Sequence, residues 1–234
     1  MLTKTTIGAE MRPTVRVLDV DSRDPFALGI ATSAQTPLID SLRQKSYASA
    51  GYFSLPDPRT VRRENDLPHA ITLIVANKRE LAATVRLTYA RDRKQVEAIL
   101  EGSADVSPSY FPTMTICRGA TDPKFRGLGL MAFLVSMGVA VARQAGLGSA
   151  LAMQAEGTPH YPAMKAAGWN SKPVPGDRMN SVKLNAAMSF VYIDRERFGT
   201  SVQHSERVHA ELHRRLEVTS VVAQASAMIA KARV

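Results

Sequence analysis

The feature that most constrains the fold is a glycine-rich turn that leads into one long apolar helix. Residues 122–148 read DPKFRGLGLMAFLVSMGVAVARQAGLG, and a strand-like run, residues 114–120, lies directly before them. After the turn no charge occurs until Arg143, so the predicted helix is apolar around its circumference and is expected to be buried. The order of strand, turn and helix predicts a mixed α/β layout with one parallel crossover.

The same turn has the composition of an anion site. Glycines remove Cβ atoms where the first four N–H groups of a helix have no partner, so an anion can approach closely. Those N–H groups and the positive end of the helix dipole favour phosphate. Arg126, at the start of the turn, adds a positive charge suited to bidentate phosphate contact. A turn whose glycines only avoid steric strain, and which binds no ligand, explains the sequence equally well.

Composition limits the classes of partner. The chain has 234 residues, of which 45% are hydrophobic, enough for one domain of ordinary or generous size or for one domain with appendages. Its formal net charge of +9 favours acidic partners: a phosphorylated cofactor, an acidic carrier protein, nucleic acid or an anionic membrane. A basic surface that serves solubility alone is the alternative. Nucleic acid is not expected, because no aromatic-interleaved basic patch, zinc spacing or helix-turn-helix pattern occurs.

Cysteine usage and hydropathy indicate the compartment. Cys117 is the only cysteine, so no intramolecular disulfide can form and a reducing compartment fits. The N-terminus lacks the apolar core of a secretory signal. The most apolar segment, residues 127–142, is shorter than the run of ~18 residues expected of a spanning helix. We therefore expect a cytoplasmic protein with no integral membrane segment and no metal site.

Hydrophobic patterns predict alternating strands and helices on both sides of the glycine turn. Strands are predicted at residues 15–20, 26–32, 70–76, 81–89, 113–120, 149–155 and 187–193. Helices are predicted at residues 35–50, 93–101 (a short helix or turn) and 158–167, with one amphipathic helix or a broken pair from residue 205 onward. Residues 54–68 read as a basic loop and residues 171–180 as a turn-rich link.

In this order the motifs resemble those of the GNAT acyltransferase superfamily. The phosphate-binding signature of that superfamily, Arg/Gln-x-x-Gly-x-Gly/Ala, opens a helix after the fourth strand. Here residues 126–131 read RGLGLM, which places methionine where glycine or alanine is usual. The resemblance implies that the phosphates of an acyl thioester bind at this turn, formed by Arg126, Gly127, Leu128, Gly129, Leu130 and Met131.

Within that superfamily the chain is most similar to long-chain N-acyl amino acid synthases and their relatives, the acyl-homoserine lactone synthases. The similarity spans about residues 35–170. It is carried by LRQKSYASAGY at 42–52, ATVRL at 83–87, CRGATDPKFR at 117–126 and AAGW at 166–169. Thr115 stands where the lactone synthases usually carry glutamate, which weakens a lactone synthase assignment. Met164 stands where many acetyltransferases carry tyrosine, and Tyr161 lies one turn earlier.

The resemblance implies a GNAT-like fold, with a mixed, mostly antiparallel central sheet flanked by helices. We expect the acyltransferase domain at residues 1–194. A C-terminal helical extension is expected at residues 195–234, where no motif of the family is found.

Acyl transfer to an amine needs a positioned thioester carbonyl, a donor for its oxyanion and a neutral amine. In this superfamily a splayed fourth strand offers backbone N–H groups to the thioester, where they act as an oxyanion hole. The resemblance places this part of the donor site at Cys117, Arg118, Gly119 and Ala120. Cys117 as a nucleophile is a further hypothesis, although a buried strand cysteine is more often apolar filler.

Candidate acid and base groups follow the fifth strand. Glu156 and His160 are candidate bases for the amine proton, directly or through water. Tyr161 is the candidate proton donor to the leaving thiolate. A surface position for His160 and a core position for Tyr161 are the alternatives.

The acceptor is expected to contact three residues, Arg43, Tyr47 and Arg86. Arg86 and Arg118 lie in otherwise apolar strand patterns, and a buried arginine must be paired or line a site. In the favoured interpretation the arginines bind the carboxylate of an amino acid. Structural ion pairing explains them equally well.

The predicted function is N-acyl transfer from an acyl thioester to the amine of an amino acid or small amine. The acyl group is expected to be long-chain, carried by acyl carrier protein or coenzyme A. The basic loop at residues 54–68 favours an acidic acyl carrier protein as partner. Apolar residues such as Phe133, Leu134, Met137 and Met153 either line an acyl tunnel or fill the core. An acetyl-CoA-dependent N-acetyltransferase and a non-catalytic basic binding protein are the alternatives.

Overall fold

Seven strands form one twisted sheet in the part of the chain that the structure describes. The computed structural model describes residues 26–50, 70–78, 80–100, 107–155, 160–173 and 188–233. The strands are β1 (Phe26–Ile30), β2 (Ala70–Asn77), β3 (Glu80–Ala90), β4 (Thr113–Thr121), β5 (Ser149–Ala155), β6 (Asn170–Pro173) and β7 (Met188–Asp194). Their order across the sheet is β1-β2-β3-β4-β5-β7-β6, and every neighbouring pair is antiparallel except β4 and β5. The predicted mixed, mostly antiparallel sheet is confirmed.

Helices cover both faces of this sheet. They are α1 (Thr36–Ser49), α2 (Arg93–Leu100), α3 (Leu130–Gln144), α4 (His160–Ala166), α5 (Phe198–Val208), α6 (Ala210–Arg215) and α7 (Val218–Lys231). None of the helices in the described ranges has both the length and the apolarity to cross a bilayer. The predicted strand at residues 15–20 and basic loop at residues 54–68 lie outside the described residues.

The two faces of the sheet have different partners because side chains alternate along a strand. Gly138 of α3 approaches Leu87 of β3 and Ile116 of β4 so closely that a Cβ would lie 2.8 and 2.6 Å from their terminal methyl groups. Arg86 is adjacent to Leu87 and Cys117 is adjacent to Ile116, so the side chains of Arg86 and Cys117 face away from α3. This opposite face is the one that α1 covers.

Two segments differ from the sequence prediction. Asn170–Pro173, at the start of the predicted turn-rich link, is the edge strand β6, paired with β7. Its residues have poor strand propensity, and pairing with β7 overrides that propensity because an edge strand needs few apolar side chains. The C-terminal part forms three helices, not one helix or a pair, and begins earlier because Asp194 caps the turn at Arg195–Arg197.

The C-terminal helices pack against α3 and share its core. Their buried apolar residues belong to the same cluster as the helix: Phe198, Leu216, Val221, Val222, Ala225 and Ile229. The chain can change direction between α6 and α7 because Leu216 is extended and buried. The separation of residues 195–234 as an extension stays a prediction.

Replacement of Gly138 by valine is expected to lower the free energy of unfolding by about 2–3 kcal/mol, because the new side chain would overlap the buried terminal methyl groups of Ile116 and Leu87. Gly199 of α5 is the matched control, since a Cβ at that position would have open space around it. Gly199→Val is expected to change stability by less than about 0.5 kcal/mol. Urea unfolding of both variants measures the difference, and equal losses would contradict the close packing of α3 on the sheet.

Candidate active site

Strand β4 carries a bulge at its centre. Thr84 of β3 pairs with Ala120, and Arg86 pairs with Cys117, so two β4 residues oppose the single residue between them. Arg118, one of the two, has a φ of +54°, a conformation that a bulky residue adopts at a cost in strain. The bulge turns the local backbone and changes the direction of the β4 amide groups.

Strands β4 and β5 separate in the same region. Their parallel pairing covers only Thr113–Thr115 against Ser149–Leu151. Beyond this point β4 continues to Thr121 and β5 to Ala155, while β5 stays paired with β7 along its whole length. The divergence leaves backbone groups of the second half of β4 without a neighbour in β5. Such groups can act as fixed hydrogen-bond donors to a ligand between the strands.

The glycine turn connects β4 to α3 with two left-handed residues. Gly127 and Gly129 have φ values of +83° and +74°, which glycine adopts without steric cost. Gly129 is the N-cap of α3, and no side chain caps the helix. The first turn of α3 also has no acidic residue, so the positive end of the helix is available to an anion.

Helix α1 holds the turn in place. Lys45 Nζ lies 2.8 Å from an Asp122 carboxylate oxygen, and the other oxygen accepts the Lys124 N–H at 2.9 Å. These hydrogen bonds outweigh the effect of burial and keep the pKa of Asp122 below its ordinary value. Arg126 donates from Nη2 to the Ser46 carbonyl at 2.9 Å and to Ser49 Oγ at 2.6 Å. Arg126 therefore ties the turn to the end of α1, and its predicted contact with phosphate stays a prediction.

The unusual methionine of the turn packs against the bulge. The Met131 sulfur lies 2.7 Å from the position that a Cβ of Gly119 would occupy. The absence of a side chain at residue 119 thus makes room for the large side chain at residue 131. Sequence reasoning noted both residues but not their contact, because they lie on different elements.

Three arginines lie close together on the α1 face of the sheet. Arg43 of α1 and Arg86 of β3 are each only 2% exposed, and Arg118 is half-buried. The pKa of Arg43 is lowered to about 10, chiefly by burial and also by the charges of Arg86 and Arg118, whereas Tyr47 and Cys117 oppose the change. Arg86 Nη2 also lies 3.4 Å from Cys117 Sγ. The structure thus brings together Arg43, Tyr47, Arg86, Cys117 and Arg118, which we call the arginine cluster.

Tyr47 and Tyr161 have opposite environments. Burial raises the pKa of Tyr47, which keeps it a neutral phenol beside the arginines. Tyr161 of α4 has a lowered pKa, chiefly because Ser171 and then Ser189 hydrogen-bond its hydroxyl group. Its hydroxyl lies 3.4 Å from Ser189 Oγ on β7, opposite Gln154 near the end of β5. This contact with the two serines was not expected from the sequence.

The other candidate residues separate into two groups. Glu156 and the side chain of His160 lie outside the described residues. Phe133, Leu134 and Met137 of α3 are at most 1% exposed within the main core, which favours their role as core residues. Met153 instead joins a second apolar cluster, on the α2 side, together with Cys117, Tyr110, Phe111, Phe190 and Tyr192.

Thr115 marks the point where β4 leaves β5. Its side chain is fully buried, and its hydroxyl donates to the Thr88 carbonyl at 3.1 Å. Thr115 therefore has a structural hydrogen bond across to β3. Within the described ranges, no group of three or more His, Cys, Asp or Glu side chains is placed to hold a metal ion.

The fold is shared with known acyltransferases. The N-acyl amino acid synthase FeeM from uncultured soil microbes is 13% identical, with a TM-score of 0.57 over 76% of this chain and 97% of that chain. A putative phosphinothricin N-acetyltransferase is 14% identical, with a TM-score of 0.53 over 73% and 98%. The putative acetyltransferase yncA from Salmonella typhimurium, solved with acetyl-CoA, is 12% identical, with a TM-score of 0.52 over 74% and 95%. These likenesses show that the chain has the GNAT fold.

A family model gives the finer assignment. The model described as N-acyl amino acid synthase FeeM matches residues 39–156, which include most of α1, the arginine cluster, the bulge and the glycine turn. No curated protein sequence matches the chain. The chain belongs to the N-acyl amino acid synthase FeeM family and is an enzyme that transfers acyl groups to amines.

The contact between Gly119 and Met131 predicts a coupled pair of variants. Gly119→Ala alone is expected to lower the free energy of unfolding by about 1 kcal/mol, because the new methyl group displaces the Met131 sulfur. In a Met131→Ala background the same change is expected to cost less than about 0.3 kcal/mol. Thermal or urea unfolding of the four proteins gives the coupling energy. Additive effects would show that the two side chains do not compete for the same space.

Proposed function

We propose that the protein transfers a long-chain acyl group from a phosphopantetheine thioester to the amine of an amino acid. The observation that carries this proposal is the position of the arginine cluster beside the separated part of β4. Cys117 and Arg118 belong both to the cluster and to the half of β4 that does not pair with β5. A group bound by the arginines would therefore lie close to a thioester held along β4.

The arginine cluster is suited to a carboxylate. Two of its guanidinium groups are almost completely removed from water, and they act on each other as like charges. A carboxylate that enters this environment neutralises positive charge and accepts charge-assisted hydrogen bonds, each worth about 1.5–3 kcal/mol. An amino acid carries such a carboxylate next to the amine that would be acylated. A simple polyamine does not.

The donor is proposed to lie between β4 and β5, with its phosphate at the start of α3. The backbone N–H groups of the second half of β4, in the region of Cys117, Arg118, Gly119 and Ala120, would bind the thioester oxygen. The glycine turn would bind the phosphate. Both coenzyme A and acyl carrier protein present a phosphopantetheine arm, so the proposed site would suit either source.

The acyl chain is proposed to lie along the second apolar cluster. The half-buried members of that cluster, among them Cys117 and Met153, are adjacent to the diverging strands and retain exposed apolar surface. Burial of each methylene of an acyl chain would contribute about 0.8 kcal/mol. A long chain would therefore gain far more from this surface than an acetyl group.

The proposed reaction is a direct transfer. The amine nitrogen attacks the thioester carbonyl carbon, and the carbonyl oxygen becomes an oxyanion bound by β4 amide groups. Collapse of this intermediate forms the amide bond and breaks the carbon–sulfur bond. Glu156 or His160 would accept the proton that the amine loses, and Tyr161 would protonate the departing thiolate.

Mass spectrometry of reactions with a panel of donors and acceptors tests the proposal. The purified protein is expected to form N-acyl amino acids from a long-chain acyl-CoA or acyl carrier protein. Acetyl-CoA is expected to react much more slowly. Acetylation of amines without long-chain transfer would support the N-acetyltransferase alternative. The absence of any thioester turnover would overturn the proposal.

Replacement of an arginine tests the role of the cluster. Arg118→Met is expected to lower kcat/KM for an amino acid about tenfold or more, because one charge-assisted contact with the carboxylate is lost. The matching amine without a carboxylate is the internal control, and its kcat/KM is expected to change little. An equal loss for both acceptors would indicate that Arg118 only maintains the fold.

Tyr161→Phe tests the proposed acid. The phenol must be protonated to donate, so kcat is expected to fall as the pH rises through the pKa of Tyr161, which lies below its ordinary value. The kcat of the variant is expected to be about 100-fold lower, with little change in KM. Its kcat is also expected no longer to fall as the pH rises. A variant with an unchanged pH profile would exclude Tyr161 as the donor.

A further inference from the structure

The C-terminal helices bring a histidine to the start of α3. His209 lies at the break between α5 and α6, with φ −112° and ψ 32°. Its N–H donates to the Ser205 carbonyl at 2.7 Å, and its own carbonyl accepts the His213 N–H at 3.0 Å. The backbone on both sides of His209 is therefore held by hydrogen bonds, which fixes where the imidazole lies.

The imidazole lies against the glycine turn. His209 Cε1 and Nδ1 are 2.8 and 3.0 Å from the position that a Cβ of Gly129 would occupy. Residue 129 must therefore be glycine for two independent reasons, its φ of +74° and the imidazole beside it. The Phe133 ring, in the first turn of α3, meets the rings of His209 and His213 edge to face, at 6.4 and 5.2 Å.

His209 differs from the neighbouring histidines in its hydrogen bonds. His213 Nε2 lies 3.2 Å from Ser205 Oγ, and His204 Nδ1 lies 3.3 Å from Arg207 Nη2. Among the residues that the structure describes, the ring nitrogens of His209 make no hydrogen bond. The ring is only half-buried, so a ligand at the start of α3 can reach it.

The surroundings of His209 are electropositive. Burial, followed by His213 of α6 and His204 of α5, lowers the pKa of His209. The first turn of α3, which packs against it, has no acidic residue and presents the positive end of the helix dipole. The free protein therefore holds a neutral imidazole at this corner near neutral pH. An anion bound there would offset these effects and favour its protonation.

We propose that His209 is a binding residue for the phosphate of the acyl donor, so that the C-terminal helices complete the anion site that the glycine turn begins. This inference rests on the proposed function. The phosphate belongs either to the diphosphate of coenzyme A or to the phosphodiester of a phosphopantetheinylated carrier. In both cases an imidazole N–H donates to a phosphate oxygen, and the ring takes up a proton from solvent as the donor binds.

A comparison of donors with and without phosphate tests this inference. The same long-chain acyl group is supplied as acyl-CoA, as acyl carrier protein and as the phosphate-free acyl-pantetheine. His209→Gln is expected to raise KM for acyl-CoA about tenfold or more, the effect of one lost charge-assisted hydrogen bond. Its KM for acyl-pantetheine is expected to equal that of the unmodified protein. A similar increase in KM for acyl carrier protein would show that His209 also contacts the phosphodiester of the carrier.

The control variant is His204→Gln, which removes a histidine of α5 that contacts Arg207 and not the glycine turn. This control variant is expected to change the KM for acyl-CoA and the KM for acyl-pantetheine by no more than about twofold. Thermal unfolding of both variants establishes that they are folded. NMR titration of the His209 ring is expected to show a higher pKa in the presence of CoA. This readout does not depend on turnover and would not change if His209 only supported the fold.

Two results would overturn the inference. One is a His209→Gln variant that binds acyl-CoA as tightly as the unmodified protein. The other is an equal loss of affinity for acyl-CoA and acyl-pantetheine. Failure of the proposed function is distinguishable from these results, because the unmodified protein would then turn over none of the three donors.

Discussion

The separation of β4 from β5 is the constraint on which the rest of the site depends. The two strands pair over three residues and then diverge, although β5 stays fully paired with β7 on its other side. An unpaired backbone edge inside a sheet is costly unless a ligand or solvent satisfies it. The bulge at Arg118 changes the direction of β4 just beyond the point where this pairing stops.

The arginine cluster keeps two guanidinium groups, those of Arg43 and Arg86, almost completely out of contact with water. Burial of a guanidinium group costs several kcal/mol, and like charges nearby add to the cost. A protein under selection for stability alone would gain from apolar residues at such positions. The proposed carboxylate ligand gives a reason for keeping cations there. Folding has then already removed the guanidinium groups from water, so binding of the acceptor does not have to pay this desolvation cost. Preorganisation of this kind favours both affinity and orientation.

The C-terminal helices have two roles in this interpretation. Their apolar faces complete the core over α3, and Ser205 reaches Ser136 of that helix at 2.5 Å. The same packing places His209 beside Gly129, at the start of α3, where the donor phosphate is proposed to bind. The C-terminal helices carry no motif of the family, and in this interpretation they still contribute a residue to the donor site. Their contribution would be particular to chains that carry these helices.

The amino-acid sequence by itself determined six of the seven strands, most helices and the glycine turn, because these depend on local periodicity and on residues such as Gly127 that permit special dihedral angles. It also determined the resemblance on which the acyltransferase class rests. Only the tertiary structure decided which distant residues meet. The contacts of Met131 with Gly119, of His209 with Gly129 and of Arg43 with Arg86 join different elements, and strand β6 forms through pairing with β7 despite poor propensity. Such contacts depend on packing geometry between elements, which no local pattern encodes.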